Sequence, residues 1–369
     1  MTNAITNRQL FFMLLLSLTS YSLVVIAHDM AQTAGTGSWL VIMVTALVFG
    51  AAASALVRLT RMFEGQTLFD YAPSLISKPG TYALCLYYVV HFLLILVFLV
   101  MELARLLNLD FFPRSPLWSF PLLGLPVFCY VAYKGITNVA RLSEIVGIVF
   151  FATGIIVHIM MTIEGRVSRI LPLFNPAEMG QYLKGFKPSV FPFLGIEIML
   201  VMPFTRKINK NAGRAVFLTL LTIGAFYIFV VESCIMKIGL HNIINYKDAL
   251  IVAIRDTSPQ ALEIISRLDI LYLTAGFSGL FVGISIVMLV IVEYLCRIFK
   301  KASRLAVVAA VGAVSYALII IAAGMQGFET FFSEIATYSG LFSSIIAPCT
   351  LLIIAVAKKR GRKAVGHAD

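Results

Sequence analysis

Charge is scarce in this chain. Asp, Glu, Lys and Arg make up 13% of its 369 residues, against 60% hydrophobic residues and a mean hydropathy of +0.94. A soluble protein of that composition would lack the polar material to cover its surface, so a polytopic membrane protein is indicated. Cysteine is sparse too. Cys85, Cys129, Cys234, Cys296 and Cys349 lie singly in or at the ends of apolar stretches without a CxxC spacing, which points to neither a disulfide framework nor a metal site. They read as small core residues. The chain also lacks HExxH, GxSxG and a Walker loop, and its intramembrane acidic residues are scattered singly. No enzyme and no cofactor are expected.

Cutting the chain at its charged and Pro/Gly-rich intervals leaves ten apolar segments of spanning length: 10–34, 38–60, 81–104, 117–136, 142–163, 187–205, 212–236, 270–296, 305–325 and 336–357. The expected fold class is therefore all-α, with ten transmembrane helices in a single integral membrane domain over 1–369. The first segment has no small-residue cleavage site at its end and is expected to be a retained helix. A cytoplasmic N-terminus puts 19 of the 29 basic residues in inside intervals, including the basic tail 358–369, so both termini are expected in the cytoplasm. The formal net charge of +11 then follows from topology. The basic clusters meet the inner leaflet of a lipid bilayer, and no nucleic-acid partner is needed to explain them.

One stretch organises the rest: Lys184 to Lys207, KGFKPSVFPFLGIEIMLVMPFTRK. Pro188, Pro192 and Gly195 interrupt an otherwise spanning segment, because proline removes a backbone donor and clashes with the preceding turn. Phe191 to Gly195 is expected to be unwound. Free backbone groups in hydrocarbon are tolerated where they are buried in protein or line a polar cavity, so Phe193, Leu194 and Gly195 become candidate ligand contacts. Glu197 follows the break. A carboxylate there must be compensated by a partner, water or protonation, and it could brace the unwound backbone, meet a ligand ammonium or exchange a proton.

The first span gathers Ser17, Thr19, Ser20, Tyr21 and Ser22 at its middle. Hydroxyls there can satisfy carbonyls of an opened helix, or simply be small packing contacts. Ten spans divide as five and five, and interruptions in the first span of each half point to a 5+5 inverted repeat, 10–164 and 184–357, with broken helices 1 and 6 and a site between the halves. Thr19, Ser20, Tyr21 and Ser22 are then expected to face Phe193, Leu194 and Gly195 across one cavity, with Thr274 and Ser278 on its wall. The alternative for Thr274 and Ser278 is close helix packing. His91, near the middle of the third span, either reaches the cavity or is hydrogen-bonded within the bundle. The patch Gly340 to Ser344 reads as packing.

Charged pairs at helical spacing, Glu102/Arg105, Arg141/Glu144 and Glu293/Arg297, read as structural ion pairs. The interval HNIINYKDALIVAIRDTSPQALEIISRLD carries apolar residues at helical spacing from Ile243 to Ile254, expected to form either a helical lid over an outer vestibule or a passive interfacial helix.

Read along its whole length, the chain resembles the B subunits of bacterial spore-germination receptors, a branch of the amino acid/polyamine/organocation transporter superfamily. The carrying residues are TNRQLFF at the start, AGTGSWL opening the second span, ITNVARLSEI before the fifth, PFLGIEIMLVMPF in the sixth and SRLDILYLT entering the eighth. The resemblance implies a LeuT-like fold, recognition of a small germinant such as an amino acid, and assembly with A and C subunits in the spore inner membrane. Leu18 to Ser22 contains no glycine, whereas amino acid transporters of that superfamily hold the substrate carboxylate at a glycine-rich break in helix 1. That departure leaves the ligand's identity open. Two roles share the fold and site, a ligand sensor and a secondary transporter; a third reading, a structural subunit with a vestigial cavity, requires the break at Phe191 to Gly195 to be packed shut.

Overall fold

The computed structural model describes residues 5–205, 207–246, 248–257 and 268–365. Among them there are helices and turns and no strand. In chain order the helices are α1 (Asn7–Ser22), α2 (Ile26–Ala34), α3 (Ser38–Met62), α4 (Leu68–Ile76), α5 (Lys78–Asp110), α6 (Ser119–Tyr133), α7 (Ile136–Glu164), α8 (Met179–Val190), α9 (Ala212–Ile238), α10 (Leu240–Ile243), α11 (Ala249–Arg255), α12 (Leu268–Ile298), α13 (Arg304–Ala323), α14 (Phe328–Leu341) and α15 (Ala347–Val365). Seven stretches are long and apolar enough to cross a membrane: Ile26–Met62, Lys78–Leu109, Ile136–Glu164, Ala212–Ile238, Ile270–Ile298, Arg304–Ala323 and Phe331–Lys358. The chain is an integral membrane protein. The other three expected spans fall on α1, whose continuation α2 is part of the Ile26–Met62 stretch, on the 15-residue α6, and on α8 with the 3-10 turns after it.

Local chemistry explains several element ends. Thr6 and Gln9 form a reciprocal capping box at the start of α1, and Thr67 with Asp70 does the same for α4. Both α4 and the packing of its apolar face follow from the sequence: Leu68, Tyr71, Ala72 and Leu75 are buried, with Tyr71 stacked on Phe63 at 4.7 Å. The predicted helix from Ile243 to Ile254 is instead two short ones, α10 and α11. Asn242 and Asn245 donate to the carbonyls of Ile238 and His241, side-chain bonds of the kind that compete with continued helix. The lower part of that interval, 258–267, lies outside the described residues.

Hydrogen bonds define two ends of the bundle. At the end carrying the N-terminus, Asn209 donates to the Ile5 carbonyl, Gly65 N–H to Phe204, Arg304 to Ala132, and Lys358 to Ser74. At the opposite end Thr36 donates to Pro172, Trp39 to Leu173, Arg166 N–H to Met236, and His28 Nδ1 meets the Ile243 carbonyl. Between these ends α1 packs against α7, α9, α12 and the turn at Phe191–Phe193, while α2 packs on α8 and α9. The first and sixth expected spans therefore lie together at the centre.

Ion pairing differs from the predicted spacing in two cases. Glu144 pairs with Arg8 rather than Arg141, and Glu293 pairs with Arg304 at 2.8 Å while Arg297 turns to Asp70 at 2.6 Å. Helical neighbours were outcompeted by residues that packing brought nearer. The Glu102–Arg105 pair is present at 2.9 Å.

Candidate functional site: a buried carboxylate and a cavity at the end of α1

After Val190 the backbone leaves α-helical geometry. Phe191–Phe193 form one 3-10 turn, Leu194 is extended at φ −67°, ψ 147°, Gly195 takes φ 109°, and Ile196–Val201 continue as 3-10 helix. The left-handed φ is why glycine stands at 195: any side chain would be strained there. The backbone groups this frees find protein partners. Tyr227 donates its hydroxyl to the Pro192 carbonyl at 3.0 Å, and Gly195 N–H donates to Glu197 Oε2 at 3.1 Å.

Glu197 is completely buried and has four donors around it. Oε1 accepts from His91 Nε2 at 3.0 Å and Ser343 Oγ at 3.1 Å; Oε2 accepts from Ser344 Oγ at 2.6 Å as well as from Gly195. His91, also buried, meets Ser339 Oγ through Nδ1 at 3.1 Å. Tyr87 and Tyr88 donate to the carbonyls of Ser339 and Ser343. The serines lie on the last turn of α14 and on Phe342–Ile346, a π-helical turn linking α14 to α15. Such a turn carries an extra residue and is found disproportionately at functional sites. Three elements distant in sequence thus converge on one carboxylate, which satisfies the compensation a buried charge demands.

A separate cavity opens where α1 gives way to α2. Its wall includes Thr19, Ser20 and the turn Leu23, Val24, Val25; Phe98 and Glu102 of α5; Phe150 of α7; Leu250 and Ile251 of α11; and Tyr272, Gly276 and Phe277 of α12. The lining is mainly apolar, with Thr19, Ser20, Glu102 and Tyr272 as polar points. Tyr272 is 5% exposed, and its hydroxyl is buried without a partner behind the cavity wall. Thr19 donates to Leu15 O at 2.7 Å and Ser20 to Leu16 O, each one turn back. Helix α11 lies against this cavity through Leu250 and Ile251, the position expected of a lid.

The expected residues therefore divide. Thr19 and Ser20 border the cavity. Phe193, Leu194 and Gly195 do not: all three are buried, Phe193 between Phe49 at 5.7 Å and Tyr227 at 5.5 Å, and Leu194 against Gly340. The break is packed shut on its own polar partners, so the single cavity expected between residues 19–22 and 193–195 is not formed. Thr274 and Ser278 do not line it either. Both are exposed, Ser278 Oγ donates to Thr274 O at 2.8 Å, and Ser278 borders a groove between α5, α6 and α7. One residue's rotation along α12 accounts for this, since Gly276 and Phe277 take the inward positions. Of Tyr21 and Ser22 only the backbone is described; their side chains lie outside the described residues. His91 is hydrogen-bonded within the bundle, to Glu197. Ser343 and Ser344, read from the sequence as packing, are donors to Glu197; Ser339 and Tyr272 were not singled out from sequence.

The architecture that holds this site defines a class first. The structure of MhsT in complex with L-phenylalanine superposes with a TM-score of 0.66 at 14% identity, covering 94% of this chain and 98% of the other. A substrate-bound, outward-open Na+-coupled sialic acid symporter gives 0.62 at 11% identity, with 92% and 79% covered. The chain shares the LeuT-type fold of these two transporters. Within it the chain belongs to the spore germination protein family, whose profile matches residues 4–326. The spore germination protein YndE of Bacillus subtilis (strain 168) is 21% identical over 208 residues, an alignment that spans 56% of each chain.

Proposed function

We propose that this chain is the germinant-sensing membrane subunit of a spore germination receptor, binding a small nutrient in the cavity bordered by Thr19, Ser20 and Leu23–Val25. The observation that carries the reading is that cavity: it lies at the end of α1, beneath α11, with an apolar wall and a few polar points, the make-up of a small-molecule site. An amino acid with an apolar side chain fits it best, its body against Leu23, Phe98, Phe150 and Leu280 and its polar end at Thr19 and Ser20. In this reading the ten expected spans form a 5+5 inverted repeat with helices 1 and 6 broken, both termini are cytoplasmic, and closure of the cavity is passed to A and C subunits.

The transporter reading is favoured by one observation, the likeness of the fold to a Na+-coupled symporter. Both readings require binding, and uptake separates them. The purified chain is screened in detergent for thermal stabilisation by a panel of amino acids. A ligand that binds the native state alone, supplied at about 100 times its Kd, stabilises by about 2.7 kcal/mol. Thr19→Trp, which fills the cavity, must abolish the effect. Uptake of the labelled hit into vesicles, with and without a sodium or proton gradient, then supports the transporter; binding without uptake supports the sensor. No stabilisation by any member of the panel overturns the amino acid assignment.

A further inference from the structure

The Glu197–His91 pair has more structure around it than a backbone brace needs. A brace requires the Gly195 N–H bond alone, whereas three further donors reach the carboxyl, one from α5 and two from the π turn. With one proton between them, carboxyl and imidazole are neutral overall; with none, they carry one negative charge in a fully buried place. The titratable groups facing the carboxyl besides His91 are Tyr87 and Tyr88 of α5 and Tyr294 of α12, while α14 and the π turn present serines. No lysine or arginine is among its hydrogen-bond partners.

The 3-10 stretch that carries Glu197 runs on to Val201 at the N-terminal end. There a vestibule is lined by Gly65, Thr67, Lys134, Val201, Thr205, Glu293, Tyr294 and Arg304 among others. Tyr294 is 1% exposed and its hydroxyl has no partner. Its ring stacks on Tyr88 at 5.7 Å and 5°. Tyr88 in turn donates to Ser343 O, beside the carboxyl. Tyr294 therefore joins the vestibule wall to Tyr88 through a ring contact. The two segments bearing the carboxyl and its serines are both non-α, a 3-10 stretch and a π turn, and their hydrogen bonds can be redistributed without unfolding an α-helix.

We propose that Glu197 and His91 bind one exchangeable proton, delivered from the N-terminal vestibule past Tyr294, and that its occupancy sets whether Ile196–Val201 stays docked on the Phe342–Ile346 turn. The inference is independent of what fills the cavity near Ser20. Because the proposed proton is shared by two hydrogen-bonded side chains, substituting either partner removes the same transition.

The test uses the full chain in lipid nanodiscs, without ligand. Infrared difference spectra between about pH 5 and pH 8, the range in which imidazole ordinarily changes charge, follow carboxyl and imidazole bands. The expected result is one transition in the wild type, lost in both Glu197→Gln and His91→Gln, and kept but reached at least several-fold more slowly after a pH jump in Tyr294→Phe. If either first variant fails to assemble, Ser344→Ala, which keeps the carboxyl and removes one donor, must shift the wild-type band. No transition in the wild type, or one unchanged in Glu197→Gln or in Ser344→Ala, overturns the proton site. A transition reached equally fast in Tyr294→Phe overturns the route. For the coupling, a cysteine replacing Val201 on a cysteine-free background must change its rate of reaction with a water-soluble thiol reagent across the same transition. A constant rate overturns it.

Discussion

Ser20 of α1 lies directly on Gly283 of α12: a Cβ on the glycine would stand 2.7 Å from Ser20 Cβ and 2.9 Å from the Leu16 carbonyl oxygen. Ser20 also reaches the Gly279 carbonyl at 3.4 Å. Here the packing reading and the carbonyl-satisfying reading of the hydroxyls are both realised, because a serine that bonds one turn back is also small enough to let two helices touch. Gly283→Ala must push α1 away from α12, at a cost of about 1–3 kcal/mol for overpacking. Gly213→Ala, at a helical glycine with open space around its would-be Cβ, serves as the control and is expected to be unchanged or stabilised by up to about 1 kcal/mol. Thermal unfolding in mild detergent compares them, and equal midpoints would contradict the contact.

Loss of the carboxylate should be far more damaging than loss of its charge. Glu197→Leu strands the Gly195 N–H and the Ser344 hydroxyl in a buried site and takes the carboxylate from His91 and Ser343, a change of the kind that costs about 3–5 kcal/mol. Glu197→Gln retains an acceptor for Gly195 and a serine and is expected to lose clearly less. The yield and unfolding midpoint of the two purified variants check the ranking.

The ion pairs should rank by burial. Arg297 is 44% exposed beside Asp70, so Arg297→Met is expected to cost about 0–1 kcal/mol and less at high salt. Lys237 is 9% exposed, bonded to Glu164 at 2.7 Å and near Asp256 at 3.6 Å. Lys237→Met leaves Glu164 without its nearest cation and is expected to cost several-fold more, with little salt dependence. Unfolding midpoints at low and high salt measure both.

Orientation is tested by labelling. On a cysteine-free background, an impermeant thiol reagent applied outside intact cells should modify Asn245→Cys, in the connection between α10 and α11, and leave Lys300→Cys, between α12 and α13, untouched until the membrane is permeabilised. The reverse pattern would invert the topology argued from basic residues.

The break after Val190 was legible because its causes are local: Pro188, Pro192 and Gly195 act on their own backbone. The partner of Glu197 was not. His91 and Glu197 are separated by 106 positions in sequence, and no periodicity reports the relative rotation of two helices that far apart. Ser343 and Ser344 were read as packing because small residues at mid-span look the same whether they admit a neighbour or donate to a carboxylate. The misplacement of Thr274 and Ser278 has the same origin: a small polar strip marks one side of α12 but does not say which side faces inward. Arg8 and Arg304 displaced the partners that helical spacing nominated for Glu144 and Glu293, since through-space proximity overrides a weak intrahelical preference.

The segment 165–178 between α7 and α8 is largely exposed, contains Pro172 and Pro176, and has the composition of a permissive loop. It is nevertheless pinned throughout. Arg166 and Arg169 bond the end of α9, Pro172 and Leu173 accept from Thr36 and Trp39, and Asn175 N–H bonds Tyr182. A protease must draw several residues into an extended strand, and an inserted reporter domain must splay its two ends apart, so both would have to tear these bonds first. The natural place to nick this protein, or to graft a fluorescent tag into it, is instead the short exposed turn at 299–303.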